Sequence, residues 1–179
     1  TEAFSHAVIR ALDGADSGRI MTFGIQPTSA HTGYGYLKQG GEILEDTYQI
    51  ESFVEKPGSD KAAAYLKSGD YRWNSGIFLF SPTVIQTALQ QCVPETLRAI
   101  TESIQTGQRD LDFLRLNPAA FARVESTPID KSVMEKVENI AMVTLNAGWS
   151  DLGAWAAIDA LASQSRDDNQ NVTVGDALL

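Results

Sequence analysis

One cysteine, Cys92, stands in the 179-residue chain, so no internal disulfide can form and no zinc spacing is available. It closes the helical pattern Leu89-Gln90-Gln91-Cys92-Val93, where a thiol serves as a small apolar side chain. Histidine is almost as scarce: His6 and His31 lie far apart, without metal-ligand spacing, and build no Ser-His-Asp or Cys-His site. Basic residues are outnumbered, 14 Lys and Arg against 23 Asp and Glu, and the net charge of −9 comes with no basic cluster. Nucleic-acid binders present a basic face, so nucleic acid is excluded as the main partner. No apolar run approaches the ~20 residues of a membrane helix, and no signal-peptide pattern opens the chain. A membrane partner is therefore not expected, and a cytoplasmic location follows by default.

What is there is ordinary globular content, 43% hydrophobic and 21% charged, at a length that suits one domain. Phe4, Ala7, Val8, Ala11 and Leu12 share one helix face, and Gly14 and Gly18 should end that helix. Ile20–Ile25 reads as a buried strand broken by Gln26-Pro27. In Thr32-Gly33-Tyr34-Gly35-Tyr36 the glycines let backbone approach a ligand or take positive φ; a kinked edge strand with stacked tyrosines fits equally well. Gly40-Gly41 signals a turn before a polar hairpin tip at 42–46. The alternating strand from Tyr48 should stop at Glu55-Lys56-Pro57, because proline donates no ladder hydrogen bond.

Ser59 or Asp60 should cap a helix that Gly69 ends, and a strand follows from about Tyr71 to Phe80. Ser81-Pro82 opens a helix with Val84, Ile85, Ala88, Leu89 and Cys92 inward; Pro94 opens another with Leu97, Ile100 and Ile104 inward. The segment 110–136 reads as mainly helical, 139–145 as a strand, 153–162 as a helix and 171–179 as further strand. The mixed order predicts an α/β domain with a mainly parallel sheet flanked by helices, spanning 1–165, and a linker with the start of a C-terminal β segment at 166–179. Both ends look cut, so a piece of a longer protein is expected. Ligands of such sheets sit beyond the carboxyl ends of strands, where Glu55-Lys56 and Asp151 both fall.

Five stretches then take on a joint meaning: Thr22–Thr28 with Thr32–Tyr36, Phe53-Val54-Glu55-Lys56-Pro57, Trp73-Asn74-Ser75-Gly76, Ile129-Asp130-Lys131-Ser132-Val133-Met134-Glu135-Lys136, and Trp149-Ser150-Asp151-Leu152-Gly153. In this order they resemble mannose-1-phosphate guanylyltransferases, in particular the long bacterial form that often carries a mannose-6-phosphate isomerase domain. The Trp-Asn-Ser-Gly and Trp-Ser-Asp-x-Gly forms favour that group over glucose-1-phosphate thymidylyltransferases, which share the Glu-Lys-Pro corner.

The resemblance implies a Rossmann-like nucleotidyltransferase fold, here incomplete. It also implies a reaction in which the oxygen of mannose 1-phosphate attacks the α-phosphorus of GTP, with Mg²⁺ neutralising charge. Glu55 would accept sugar hydroxyls, Lys56 would meet the sugar phosphate and Asn74 would suit a vicinal diol. Gly35 would admit the sugar, Tyr34 or Tyr36 would wall the pocket and Asp151 would bind magnesium. Taken singly, Glu55-Lys56 reads as a solvated ion pair, Asn74 as a turn residue and Asp151 as a helix cap. Asp130 and Glu135-Lys136 either approach the site or lie on a helix packed beside it.

The family's Gly-Gly-x-Gly-x-Arg nucleotide loop and first metal-binding aspartate do not occur in the chain, and His31 stands where an acidic residue is usual. The expectation is the sugar-phosphate half of such an enzyme, inactive alone. The alternative is a non-catalytic sugar-phosphate-binding or interaction module. Either could form a homodimer through the insert at about 82–136.

Overall fold

The computed structural model describes residues 1–153. The chain divides into two compact units, Thr1–Ala147 and Gly148–Leu179. The expected boundary near 165, the helix to Ala162 and the terminal strands lie outside the described residues.

The first unit begins with α1 (Glu2–Asp16), capped by Thr1, whose hydroxyl accepts the Phe4 amide. Its buried face is Ala7, Ala11, Gly14 and Ala15, not the larger Phe4 and Leu12, which stand exposed. Small side chains let the helix axis lie close to the strand beneath. A Cβ on Gly14 would strike the Met21 thioether, so this glycine is a packing position inside the helix rather than its end. Strand β1 (Ile20–Ile25) is buried at every position. It is paired on both sides, with the strands at Tyr71–Leu79 and Ile140–Thr144, and its apolar run suits burial on both faces.

β2 (Gly35–Leu44) and β3 (Thr47–Glu55) form a hairpin that turns at Glu45-Asp46, with Asp46 at φ 52°. Gly40-Gly41 is not a turn. It lies within β2 where the register slips between Gln39 and Glu42, so the glycines accommodate a bulge. Helix α2 (Ser59–Ser68) starts from Gly58 without a side-chain cap, contrary to the Ser59 or Asp60 expectation, and ends at left-handed Gly69 as expected. β4 (Tyr71–Leu79) follows, then α3 (Pro82–Cys92), capped by Ser81, and α4 (Pro94–Gln105). Helix α4 buries Ala99 and Ser103 and leaves Ile104 exposed.

The segment 110–136 is not mainly helical. It contains most of a small hairpin, β5 (Gln108–Asp110) with β6 (Phe113–Arg115), then a single turn α5 (Pro118–Phe121) and a π-helical turn Asp130–Met134. The short strands were hidden because they bury nothing and so carry no alternating pattern.

β7 (Ile140–Thr144) completes a closed ring of strands in the order β1-β4-β2-β3-β7. The α/β class holds, but the sheet is not mainly parallel. Among the described ladders only β1 with β7 is parallel. A tight hairpin forces β2 and β3 antiparallel, whereas the long crossover through α3 and α4 lets β7 run alongside β1. The core under the ring joins Ile20, Leu37, Ile50, Phe53, Ile140 and Met142 to Val133 and Met134.

Candidate functional site

Three of the predicted residues meet where β2 begins. Gly35 pairs with Glu55 of β3, and its neighbour Tyr36 pairs with Trp73 of β4, which sets Asn74 on the other flank. A Cβ on Gly35 would lie 2.6 Å from Glu55 Oε2 and 3.2 Å from Asn74 Cβ. No other residue type leaves room for the carboxylate in this position. The glycine therefore works through its missing side chain, and its backbone needs no positive φ.

Lys56 turns the chain out of β3 with φ 50°, a left-handed conformation, directly before the buried Pro57. A residue preceding proline is normally extended, so this backbone is strained by roughly 1–3 kcal/mol. Two hydrogen bonds hold the corner: Lys56 N–H donates to the Tyr34 carbonyl at 3.2 Å, and Glu55 N–H to Glu135 Oε1 at 2.7 Å. The Lys56 side chain is 60% exposed, and its Nζ lies 3.6 Å from Glu55 Oε1. The ammonium is thus tethered near the carboxylate but open to an incoming anion.

Glu55 is the electrostatic oddity. Burial raises its pKa above the ordinary carboxylate value, nearby Asp130 raises it further, and Lys56 opposes both. The carboxylate is costly to keep charged unless a ligand donates to it.

Asn74 is 7% exposed and largely occupied. Its Oδ1 accepts from Thr22 Oγ1 at 2.9 Å and from the Gly76 amide at 3.2 Å, while Nδ2 donates to Asp130 Oδ1 at 3.3 Å. One amide N–H remains for anything else. Its first role is to join β1, β4 and the π-helical turn. Tyr34 stacks on His31 with ring centres 3.9 Å apart and meets the Trp73 edge at 5.0 Å, while the Tyr36 hydroxyl donates to the His31 carbonyl. Tyr36 and Trp73 are buried, at 0% and 7% exposure, so of these rings only His31 and Tyr34 reach solvent.

Thr22 falls in the Thr22–Thr28 stretch, but its tie to Asn74 has no sequence signal because it sits inside an apolar run. Asp130 and Glu135, left open by the motif reading, both reach the cluster. A concavity of about 760 Å³ bordered by Val84, Ala88, Cys92 and Lys136 contains none of these residues. Asp151 belongs to the second compact unit, where it is exposed. Among the described residues, no group of three or more His, Cys, Asp or Glu is arranged to hold a metal ion. No helix among them is long and apolar enough to cross a membrane.

Comparison with known proteins bears on what this cluster serves. A family model described as nucleotidyl transferase matches residues 1–168. The chain belongs to the nucleotidyl transferase family. The mannose-1-phosphate guanylyltransferase of Sinorhizobium fredii is 40% identical to this nucleotidyl transferase chain over 168 residues, covering 94% of the chain and 33% of the relative. Mannose-1-phosphate guanylyltransferase RfbM of Salmonella typhimurium is 40% identical over 174 residues, covering 97% and 36%. The chain therefore spans about a third of the length of these curated relatives.

Among solved structures, a protein from Thermus thermophilus described as a mannose-1-phosphate geranyltransferase has a TM-score of 0.76 at 30% identity. It covers 92% of this chain and 46% of its own. A mannose-6-phosphate isomerase from Helicobacter pylori gives 0.75 at 30% identity, covering 84% and 58%. The nucleotidyl transferase fold and the resemblance read from the motifs both hold.

Proposed function

We propose that this chain forms the acceptor side of a mannose-1-phosphate guanylyltransferase, which makes GDP-mannose and pyrophosphate from mannose 1-phosphate and GTP. The observation that carries the reading is the row Glu55–Gly35–Asn74 with the open ammonium of Lys56 beside it. A desolvated carboxylate seeks donors, which sugar hydroxyls supply, and a compact exposed cation suits a phosphate. The bare Gly35 lets the ring settle on the strands, with Tyr34 as a side wall.

In this reading Lys56 holds the sugar phosphate so that its oxygen can attack the α-phosphorus of GTP in line, and pyrophosphate leaves. Such chemistry rests on positioning and charge more than on a protein nucleophile. Asp151 is the proposed magnesium ligand. Mg²⁺ takes one or two carboxylates and completes its shell with phosphates and waters, so a single exposed carboxylate suits it. When bound, the ion would neutralise phosphate charge. The protein would work in the cytoplasm with neither nucleic acid nor membrane. A homodimer through the 82–136 segment, where Leu111, Phe113 and Leu114 stand exposed, belongs to the same proposal.

A second reading keeps the same acceptor row without turnover: a non-catalytic sugar-phosphate-binding or interaction module. Calorimetry with mannose 1-phosphate, with and without magnesium, tests the shared part. Saturable binding that Lys56→Ala severely weakens is expected; no binding by the parent protein overturns both readings. A coupled assay for pyrophosphate and GDP-mannose from GTP then separates enzyme from module.

A further inference from the structure

The turn at Asp130–Met134 is π-helical, and its last backbone bond runs from the Glu135 amide to the Asp130 carbonyl, five residues back. In an α-helix, residues five apart point about 140° away from each other around the axis. Widening to i→i+5 bonds brings them back to one side. Asp130 and Glu135 use that shared side. Asp130 Oδ1 takes the Asn74 amide N–H at 3.3 Å, and Glu135 Oε1 takes the Glu55 backbone N–H at 2.7 Å. The contacted residues lie on the two strands that flank Gly35, and the bonds span 56 and 80 positions of sequence. The turn itself cannot drift, because Val133 and Met134, 0% and 1% exposed, are sunk in the core. π-bulges recur at functional sites because they re-aim side chains in this way.

We propose that the π-helical turn is a two-carboxylate clamp on the acceptor corner, with Glu135 as a positioning residue that fixes the Glu55 amide and, through it, the strained Lys56. Glu135 touches no substrate in this scheme. It holds the chain at the point where β3 must stop and the left-handed turn must begin. Its carboxylate satisfies an amide that β2 leaves unpaired. For its effect on ligand affinity the inference rests on the sugar-phosphate reading; for the geometry of the corner it does not.

The test uses three substitutions of the exposed Glu135 in the intact protein. Glu135→Ala removes the acceptor, Glu135→Asp keeps the charge but draws the oxygens back, and Glu135→Gln keeps an acceptor oxygen at full reach. Amide hydrogen exchange is followed at Glu55 and Lys56, with Phe53 as the internal reference, and mannose 1-phosphate affinity is measured by calorimetry. Alanine and aspartate should each accelerate exchange at Glu55 and Lys56 at least tenfold, leave Phe53 within twofold, and weaken binding at least tenfold. Glutamine should stay within threefold of the parent in both.

Unchanged Glu55 exchange in the alanine and aspartate variants overturns the clamp. So does a uniform loss of protection that glutamine fails to rescue, since that marks a purely structural role. If the parent protein binds no mannose 1-phosphate, the substrate reading falls. The exchange pattern then decides the clamp alone.

Discussion

The acceptor corner and the small β5–β6 hairpin belong to the same compact unit, yet they are held together in opposite ways. At the corner, polar groups are joined across 52, 56 and 80 positions of sequence, from Thr22 to Asn74, Asn74 to Asp130 and Glu55 to Glu135. In the hairpin, Arg115 reaches Asp110 five positions away, and its guanidinium lies over the Phe113 ring. Phe113 is 67% exposed and Leu111 is 92% exposed. A site made of distant partners is rigid only when the whole ring of strands is formed, and it binds with little left to order. A locally stitched hairpin can change without disturbing the remainder. The contrast separates residues that set affinity from residues that merely decorate the surface.

Substitutions break or sharpen this contrast by degrees. Lys56→Ala should have the largest effect on binding, weakening mannose 1-phosphate on the order of 100-fold, as expected for loss of a charged hydrogen bond. Its exposed side chain contributes little to stability, so the unfolding midpoint in urea should hold. Gly35→Ala comes next, because its Cβ would lie 2.6 Å from Glu55 Oε2 and displace the carboxylate. Calorimetry should show about tenfold weaker binding, with about 1 kcal/mol lost in urea unfolding, within the usual cost of overpacking. Binding undiminished in that variant would show that Glu55 can move freely.

Thr22→Val removes the hydroxyl that serves Asn74 Oδ1. About 1 kcal/mol of stability should go, with at most a threefold change in affinity, because the Gly76 amide still holds the oxygen. Acidification is a gentler probe. The raised pKa of Glu55, caused by burial and by Asp130, means that it protonates while ordinary carboxylates remain charged. Affinity should fall severalfold as pH drops through that raised value, and Glu55→Gln should flatten this part of the titration. Its contribution to stability has the opposite sense. It is present below the ordinary carboxylate value and lost as pH rises through the folded value, because the native state binds that proton more tightly. The smallest effect is expected in the hairpin: Leu111→Asn at φ 54° should leave affinity unchanged and shift stability by less than about 0.5 kcal/mol.

How much of this could be read from sequence depended on the range of the physics involved. The end of β3 was visible because Pro57 is a local prohibition, and the start of α3 because Ser81-Pro82 is a local preference. Glu55, Lys56 and Gly35 stand in recognisable motifs, and their meeting follows from strand register. The face of α1 is legible only in part: Ala7 and Ala11 are buried as their spacing predicts, but Phe4 and Leu12 are exposed, and Gly14 and Ala15 take the close-range positions beside the sheet. Gly40-Gly41 looked like a turn because a bulge and a turn demand the same permissive residue. The motif makes Asn74 a ligand for sugar, but its occupancy depends on Thr22 and Asp130, which no local window contains. The π-helical turn differs from an α-turn by one residue in its hydrogen bonding, which leaves no compositional trace.

The ring of strands closes between neighbours far apart in the chain. Beside the parallel β1–β7 ladder, Asn139 Nδ2 donates to the Gly18 carbonyl across 121 positions. Contacts of such sequence separation form late and slowly, because loop closure must precede any reward. Synthesis delivers β1 well before residues 140–144, so β1 has to wait for them before its β7 flank is paired. Over that interval an apolar strand is open on one side, so the nascent chain should depend on a chaperone more than the finished ring does.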